Sequence, residues 1–149
     1  MSSFEGYHPL LTPRFRFDWL TQFKLKNVAT LTSQDLATAA DWVNTTMHST
    51  MNRTALTWGI ERRQTHKLMG WGGFTDLEIP AHRCMLQVVG PKFTPTDQEE
   101  ILRRLIAFGH DELQLTTLTL VDNHRLAQTA LMAVGFQYED QQWVWHAQH

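Results

Sequence analysis

The run Asp122-Asn123-His124-Arg125-Leu126-Ala127-Gln128-Thr129-Ala130-Leu131-Met132-Ala133-Val134-Gly135-Phe136 decides how this chain is read. Leu126, Ala127, Ala130, Leu131 and Val134 share one face at helical spacing, so the run predicts a polar-capped amphipathic helix. Gly135 stands just past its last apolar turn, where a residue without Cβ takes the left-handed conformation at no steric cost. Leu118 and Leu120 alternate with Thr117 and Thr119 ahead of the run, and Phe136 and Tyr138 follow it. The segment therefore reads as strand, helix, glycine stop, strand.

Toward the N-terminus, Thr96 and Glu99 have capping-box spacing ahead of the apolar stripe Ile101, Leu102, Leu105, Ile106 and Phe108, which predicts a second helix. Residues 85–89, Met-Leu-Gln-Val-Val, are nearly continuous apolar, the pattern of a central strand buried on both faces. A helix between this strand and the one at 118–121 permits a parallel crossover, so the class is mixed α/β. Leu56, Trp58 and Ile60 alternate with Thr57, Gly59 and Glu61, and a polar turn at 62–67 leads to a strand at 68–74, an antiparallel hairpin. Thr32 is placed to cap a further helix, with Asp35 in its first turn and Leu36, Ala40, Val43 and Met47 on one face. The opening residues 9–17 alternate charge with Phe15 and Phe17 as one edge strand, and Trp143 and Trp145 close the chain in a hairpin with Phe136 and Tyr138.

A chain of 149 residues, 42% apolar, suits one domain spanning 1–149 whose core needs neither disulfide nor metal. The net charge of −2 gives no general attraction to nucleic acid or to an anionic membrane. Cys84 is the only cysteine, so an intramolecular disulfide is impossible and a reducing, cytoplasmic location is expected. No stretch has the length and apolarity of a membrane span or the pattern of a targeting segment. His146 and His149 have the spacing of a metal pair without a third ligand, so no metal is expected.

The order β, α, β, β, β, α, β, α, β, β, with a helix ending in Gly135-Phe136, resembles the GCN5-related N-acetyltransferases (GNAT). Residues 9–17, Ala55-Leu56-Thr57-Trp58-Gly59-Ile60 and the glycine-rich segment 70–74 resemble the branch that modifies ribosomal proteins and protein N-termini. The resemblance implies a central mixed sheet of six to seven strands with helices on both faces. It also implies acetyl-CoA as co-substrate and a primary amine as acceptor, possible acceptors being a small molecule or a protein N-terminus; the oligomeric state stays open. In that family the central strand's backbone pairs with the pantetheine arm, which maps to Gln87, Val88 and Val89. Lys92, Thr94 and Thr96 fall where the phosphate loop would lie. Counting back from Gly135 puts His124 at the family's asparagine, and Asn123 fits it only with a one-residue shift.

The family's phosphate loop is a Gln/Arg-x-x-Gly-x-Gly/Ala run whose amides converge at a helix N-terminus. Here residues 91–97 contain no glycine, Pro95 lacks a donor, and Asp97, Glu99 and Glu100 bring negative charge. The expected loop is one occupied by its own capping side chains, Thr96 and Glu99. This departure keeps a second reading open, a non-catalytic relative that retains the fold as a binding module. Leu131 stands where a tyrosine often protonates the leaving thiolate, so no leaving-group acid is evident. Candidate bases are Glu61, Glu78 and His82, each equally readable as a solvated strand residue, a loop charge and a turn cap. Trp71, among glycines, is the candidate wall of an acceptor pocket, and Cys84 reads as a small buried apolar residue.

Overall fold

The computed structural model of the protein describes residues 9–122 and 124–147. Along the chain run β1 (Leu10–Leu11), β2 (Phe15–Trp19), α1 (Leu25–Thr32), α2 (Leu36–Met51), β3 (Leu56–Arg62), β4 (Lys67–Glu78) and β5 (Arg83–Val89). There follow α3 (Pro95–Leu113), β6 (Thr117–Leu120), α4 (Gln128–Ala133), β7 (Gln137–Glu139) and β8 (Gln142–His146). The strands form one mixed sheet ordered β1-β2-β3-β4-β5-β6-β8-β7. Only β5 and β6 are parallel, joined by the crossover through α3. Among the described residues no helix is long and apolar enough to cross a membrane.

The sheet has eight strands, not six to seven, because residues 9–17 do not form a single edge strand. Thr12 accepts the Phe15 N–H on its Oγ1 at 2.9 Å and donates its own N–H to Phe15 O at 2.9 Å. The chain therefore folds back at Pro13, and Leu10 pairs with Phe17.

Strand register sorts the side chains onto two faces. Phe17, Trp58, Ile60, Phe74, Leu86, Val88, Leu118 and Leu120 point toward α3, where Ile101, Leu102 and Leu105 are fully buried. Phe108 of α3 stacks on Phe74 and meets Trp58 edge-on. On the opposite face, a Cβ on Gly59 would lie 2.6 Å from the Phe23 ring, and Trp71 meets Trp42 of α2 at 5.0 Å between ring centroids. Each large apolar side chain fully buried stabilises the fold by roughly 1.5–3 kcal/mol. The α3 face, with far more of them, therefore holds the molecule together more than the small cluster of Leu20, Val28, Ala29, Ala39 and Val43 under α1 and α2.

Two helix boundaries differ from the sequence expectation. Thr32 ends α1, and Asp35 is the cap of α2, its Oδ1 accepting the Thr38 N–H at 2.7 Å. The buried stripe is accordingly Ala39, Val43, Thr46 and Thr50, while Leu36 is left exposed. Helix α4 begins only after Ala127, because Gln98 Oε1 of α3 takes the Ala127 N–H at 2.7 Å and holds residues 124–127 out of the helix. Its end is as expected. Phe136 N–H reaches Leu131 O at 3.0 Å and Gly135 N–H reaches Met132 O at 3.2 Å, a Schellman closure with Gly135 at φ 102°.

Candidate active site

The parallel pairing of β5 with β6 runs from Arg83↔Thr117 to Leu86↔Leu120 and stops. Its last rung is the Val121 N–H donated to Leu86 O at 3.2 Å. On its other edge β5 stays paired with β4 to the end, through Gln87↔Gly73, Val88↔Gly72 and Val89↔Trp71. Backbone groups alternate sides along a strand. Since the Leu86 carbonyl is aimed at β6, the N–H and C=O of Val88 are aimed the same way, and among the described residues no strand receives them. A cavity of about 320 Å³ fills the gap, with Gln87, Val88 and Val89 on one side and Val121, His124 and Leu126 on the other.

Two side chains shape the far wall. Gln98 is buried at the start of the α3 stripe, where it accepts the Ala127 N–H and donates Nε2 to Phe93 O at 3.4 Å. His124 Nδ1 accepts the Leu126 N–H at 3.2 Å, which fixes the imidazole proton on Nε2. Burial pushes the His124 pKa down, so the ring is neutral at pH 7. Gln98 was not among the sequence candidates, and His124 entered only as the residue at the family's asparagine position. The available signals were a polar residue on the otherwise apolar 98, 101, 102, 105 stripe and the count back from Gly135.

The N-terminus of α3 is closed by its own residues. Thr94 is the cap and Pro95 the first helical residue, so the capping pair is Thr94 and Asp97 rather than Thr96 and Glu99. Thr94 Oγ1 accepts the Asp97 N–H at 3.1 Å, Asp97 Oδ2 accepts the Thr94 N–H at 3.0 Å, and Thr94 O accepts the Gln98 N–H at 2.9 Å. Pro95 has no N–H to offer. Among the described residues, Thr96 alone in this first turn keeps an unclaimed N–H.

The negative charge there is also spoken for. Asp97 lies 2.7 Å from Arg14 Nη1 and 3.1 Å from Arg62 Nη2. Glu100 accepts from Thr12 Oγ1, from Arg14 N at 3.0 Å and from Arg14 Nε at 2.8 Å. Burial raises both carboxyls, but the hydrogen bonds and guanidinium charges outweigh it and hold both pKa values below the usual carboxylate range. Glu99 pairs with Arg103 at 2.9 Å. The expected open wall of charge is therefore a compensated network facing β1 and β2.

The structure brings Gln87, Val88 and Val89 together at the cleft, with Trp71 beside Val89 in register on the face that carries α1 and α2. Lys92 is exposed on the loop that follows and Thr96 in the first turn of α3, and Asn123 lies outside the described residues. Each of the three candidate bases has a partner of its own. Glu61 pairs across strands with Arg16 at 3.4 Å. Glu78 pairs with Arg83 at 2.6 Å, and His82 uses Nδ1 on Gln114 O at 3.0 Å. At about 3.3 Å per residue, Glu78 and His82 sit roughly 20 Å from the open end of β5. Cys84 faces the core under α3, where burial pushes its thiol up to about 12 and leaves it unreactive. His146 bonds Glu139 Oε1 at 2.8 Å, and His149 lies outside the described residues.

No family model and no curated protein sequence matches the chain. Solved structures do. A Vibrio cholerae protein described as a ribosomal-protein-serine acetyltransferase superposes with a TM-score of 0.81 at 16% identity, covering 94% of this chain and 98% of its own. A GNAT-family acetyltransferase from Bacillus anthracis gives 0.67 at 15% identity, covering 92% and 93%. The fold is that of the GCN5-related N-acetyltransferases. The ribosomal-protein-S5-alanine acetyltransferase of Vibrio fischeri adds a TM-score of 0.68 at 11% identity, over 89% of this chain and 85% of that one. The GNAT fold thus persists where few side chains match, as expected for an architecture set by strand register and buried pattern.

Proposed function

We propose that the protein is a GNAT-family N-acetyltransferase that takes acetyl from acetyl-CoA and gives it to a primary amine, a protein N-terminus being the favoured acceptor class. One observation carries this reading: within the GNAT fold, the end of β5 keeps an open backbone edge beside a cavity of about 320 Å³. A pantetheine arm fits such an edge, since its amides offer the donor and acceptor that Val88 N–H and C=O need. The diphosphate fits poorly, because Thr94 and Asp97 already use the amides at the start of α3. Acetyl-CoA would supply the thioester, whose C–S bond breaks as the amine nitrogen bonds the acetyl carbon, the amine proton ending on the thiol.

In this reading Val88 holds the arm through its backbone, and Gln98 keeps the opposite wall in place through Ala127. His124, neutral and protonated on Nε2, offers the cleft a donor and not a base. Trp71 and Val89 border the acceptor side. The ribosomal-protein acetyltransferases among the similar structures support a protein N-terminus as acceptor. This reading gives no role to Glu78 and His82, which sit at the far end of β5, and assigns none to Glu61, which is paired with Arg16.

The self-capped α3 favours the second reading, a binding module without transfer. Calorimetry with acetyl-CoA and with S-acetylpantetheine, followed by mass spectrometry of a panel of amine-bearing peptides, separates the two. Binding of either thioester with acetylation of at least one peptide supports the enzyme. Absence of binding by both supports the module.

A further inference from the structure

We infer that the cleft selects the acyl-pantetheine arm alone and takes nothing from the nucleotide end of coenzyme A. A thioester borne on the phosphopantetheine of an acyl carrier protein would then be as good a donor as acetyl-CoA. The inference rests on the proposed acetyltransferase reading and names its donor class.

The argument begins with what each half of a coenzyme A molecule would meet. The arm meets the unclaimed backbone of Val88 and a cavity whose size is near the lower end of small-molecule sites, roughly 300–1,000 Å³. The diphosphate would arrive at the start of α3, and there most donors are taken, Thr96 alone keeping an unclaimed N–H in the first turn among the described residues. Two prolines, Pro91 and Pro95, have no N–H, and Phe93 N–H is turned onto Gly90 O at 3.2 Å. Thr94, Asp97 and Gln98 spend theirs inside the capping box. The Asp97 carboxylate does for this terminus what a bound phosphate would otherwise do, and Arg14 and Arg62 bind that carboxylate from behind.

Side-chain cations do not restore the site. Arg125 lines the cleft and Lys92 stands on the following loop, but both are exposed and salt screens such charges. Nor can a small shift reopen the terminus. Releasing the Asp97 and Thr94 amides would leave a buried carboxylate facing an incoming anion, a like-charge contact in a poorly solvated place. Chemistry at the sulfur is untouched by what lies beyond the arm: the acyl C–S bond breaks, the C–N bond forms, and the amine proton ends on the pantetheine thiol.

The test is calorimetry on the full chain with acetyl-CoA, S-acetylpantetheine, ADP and an acetylated acyl carrier protein, at low and at moderate salt. The expected result is that acetyl-CoA and S-acetylpantetheine bind within about threefold of each other, with weak salt dependence, that the carrier protein binds at least as well, and that ADP neither binds nor competes. Acetyl-CoA binding thirtyfold or more tighter than S-acetylpantetheine, or displaced by ADP, overturns the inference and leaves the acetyltransferase reading intact. Failure of every thioester to bind overturns both.

Discussion

At the end of β5, Val88 presents an N–H and a carbonyl that no described residue claims; one loop later, at the start of α3, Thr94 and Asp97 claim each other. The two regions are one loop apart in the chain, yet they answer to sequence differently. A strand edge offers its backbone whatever side chains it carries, so substitutions leave it able to bind. A helix terminus binds an external anion only if no local side chain does so first, and here an aspartate does. Recognition by backbone outlasts sequence change, whereas recognition by vacant amides is lost through one well-placed carboxylate.

The largest effect that can break this contrast is at the helix terminus. Asp97→Ala should destabilise the fold by about 3 kcal/mol, near the low end for breaking a buried ion pair because Arg14 and Arg62 are partly exposed. The urea midpoint measures it, and a loss under about 1 kcal/mol would show that the network is ornamental. Gln98→Ala should cost about 1–2 kcal/mol by leaving the Ala127 N–H unpaired, with faster hydrogen exchange at that amide while the amides of α3 beyond its first turn stay protected. Unchanged exchange would mean that the far wall does not depend on α3.

Acid titration comes next. The folded pKa values of Asp97 and Glu100 are lowered, so their stabilisation is complete above the unfolded values near pH 4 and is lost as pH falls through the folded ones. His124 is also lowered, so its contribution is present above about pH 6.5 and fades as pH drops through its folded pKa. His124→Asn should flatten the slope between pH 6.5 and 5 and leave the steeper limb below pH 4 unchanged. The smallest effect expected is the most telling for the strand: Val89→Thr, at a position 39% exposed, should leave S-acetylpantetheine affinity within about twofold. A tenfold loss would mean that side chains, and not backbone, read the arm.

The fold was legible because its signals are periodic and local. The apolar run at β5, the stripe of α3 and the Gly135 stop each carry their meaning within a few residues. Where two local signals overlapped, reading failed. Thr94-x-x-Asp97 and Thr96-x-x-Glu99 both have capping spacing, and the chain uses the first because it sets Pro95 at the first helical position and lets Asp97 reach Arg14 and Arg62. The cleft was legible only as a place on β5. Its open edge is made of backbone atoms, and its far wall is held by Gln98 reaching Ala127 across 29 residues, which no local pattern announces. The candidate bases were chosen by residue type, and each proved to have a partner of its own.

The tie between the first hairpin and α3 bears on how the chain folds. Thr12 and Arg14 meet Glu100 across 88 and 86 residues, a separation that is cheap at equilibrium, since each doubling of a closed loop adds only about 0.6 kcal/mol, but slow to search. During synthesis the β1–β2 hairpin leaves the ribosome long before the carboxylates that anchor it. Its Arg14 and the buried faces of Phe15 and Phe17 must wait, exposed to solvent and chaperones, until Glu100 has emerged. This early segment is thus among the last to be secured, and a thermal or mechanical pull on the β1–β2 hairpin would loosen the start of α3 before it disturbs the splayed strands.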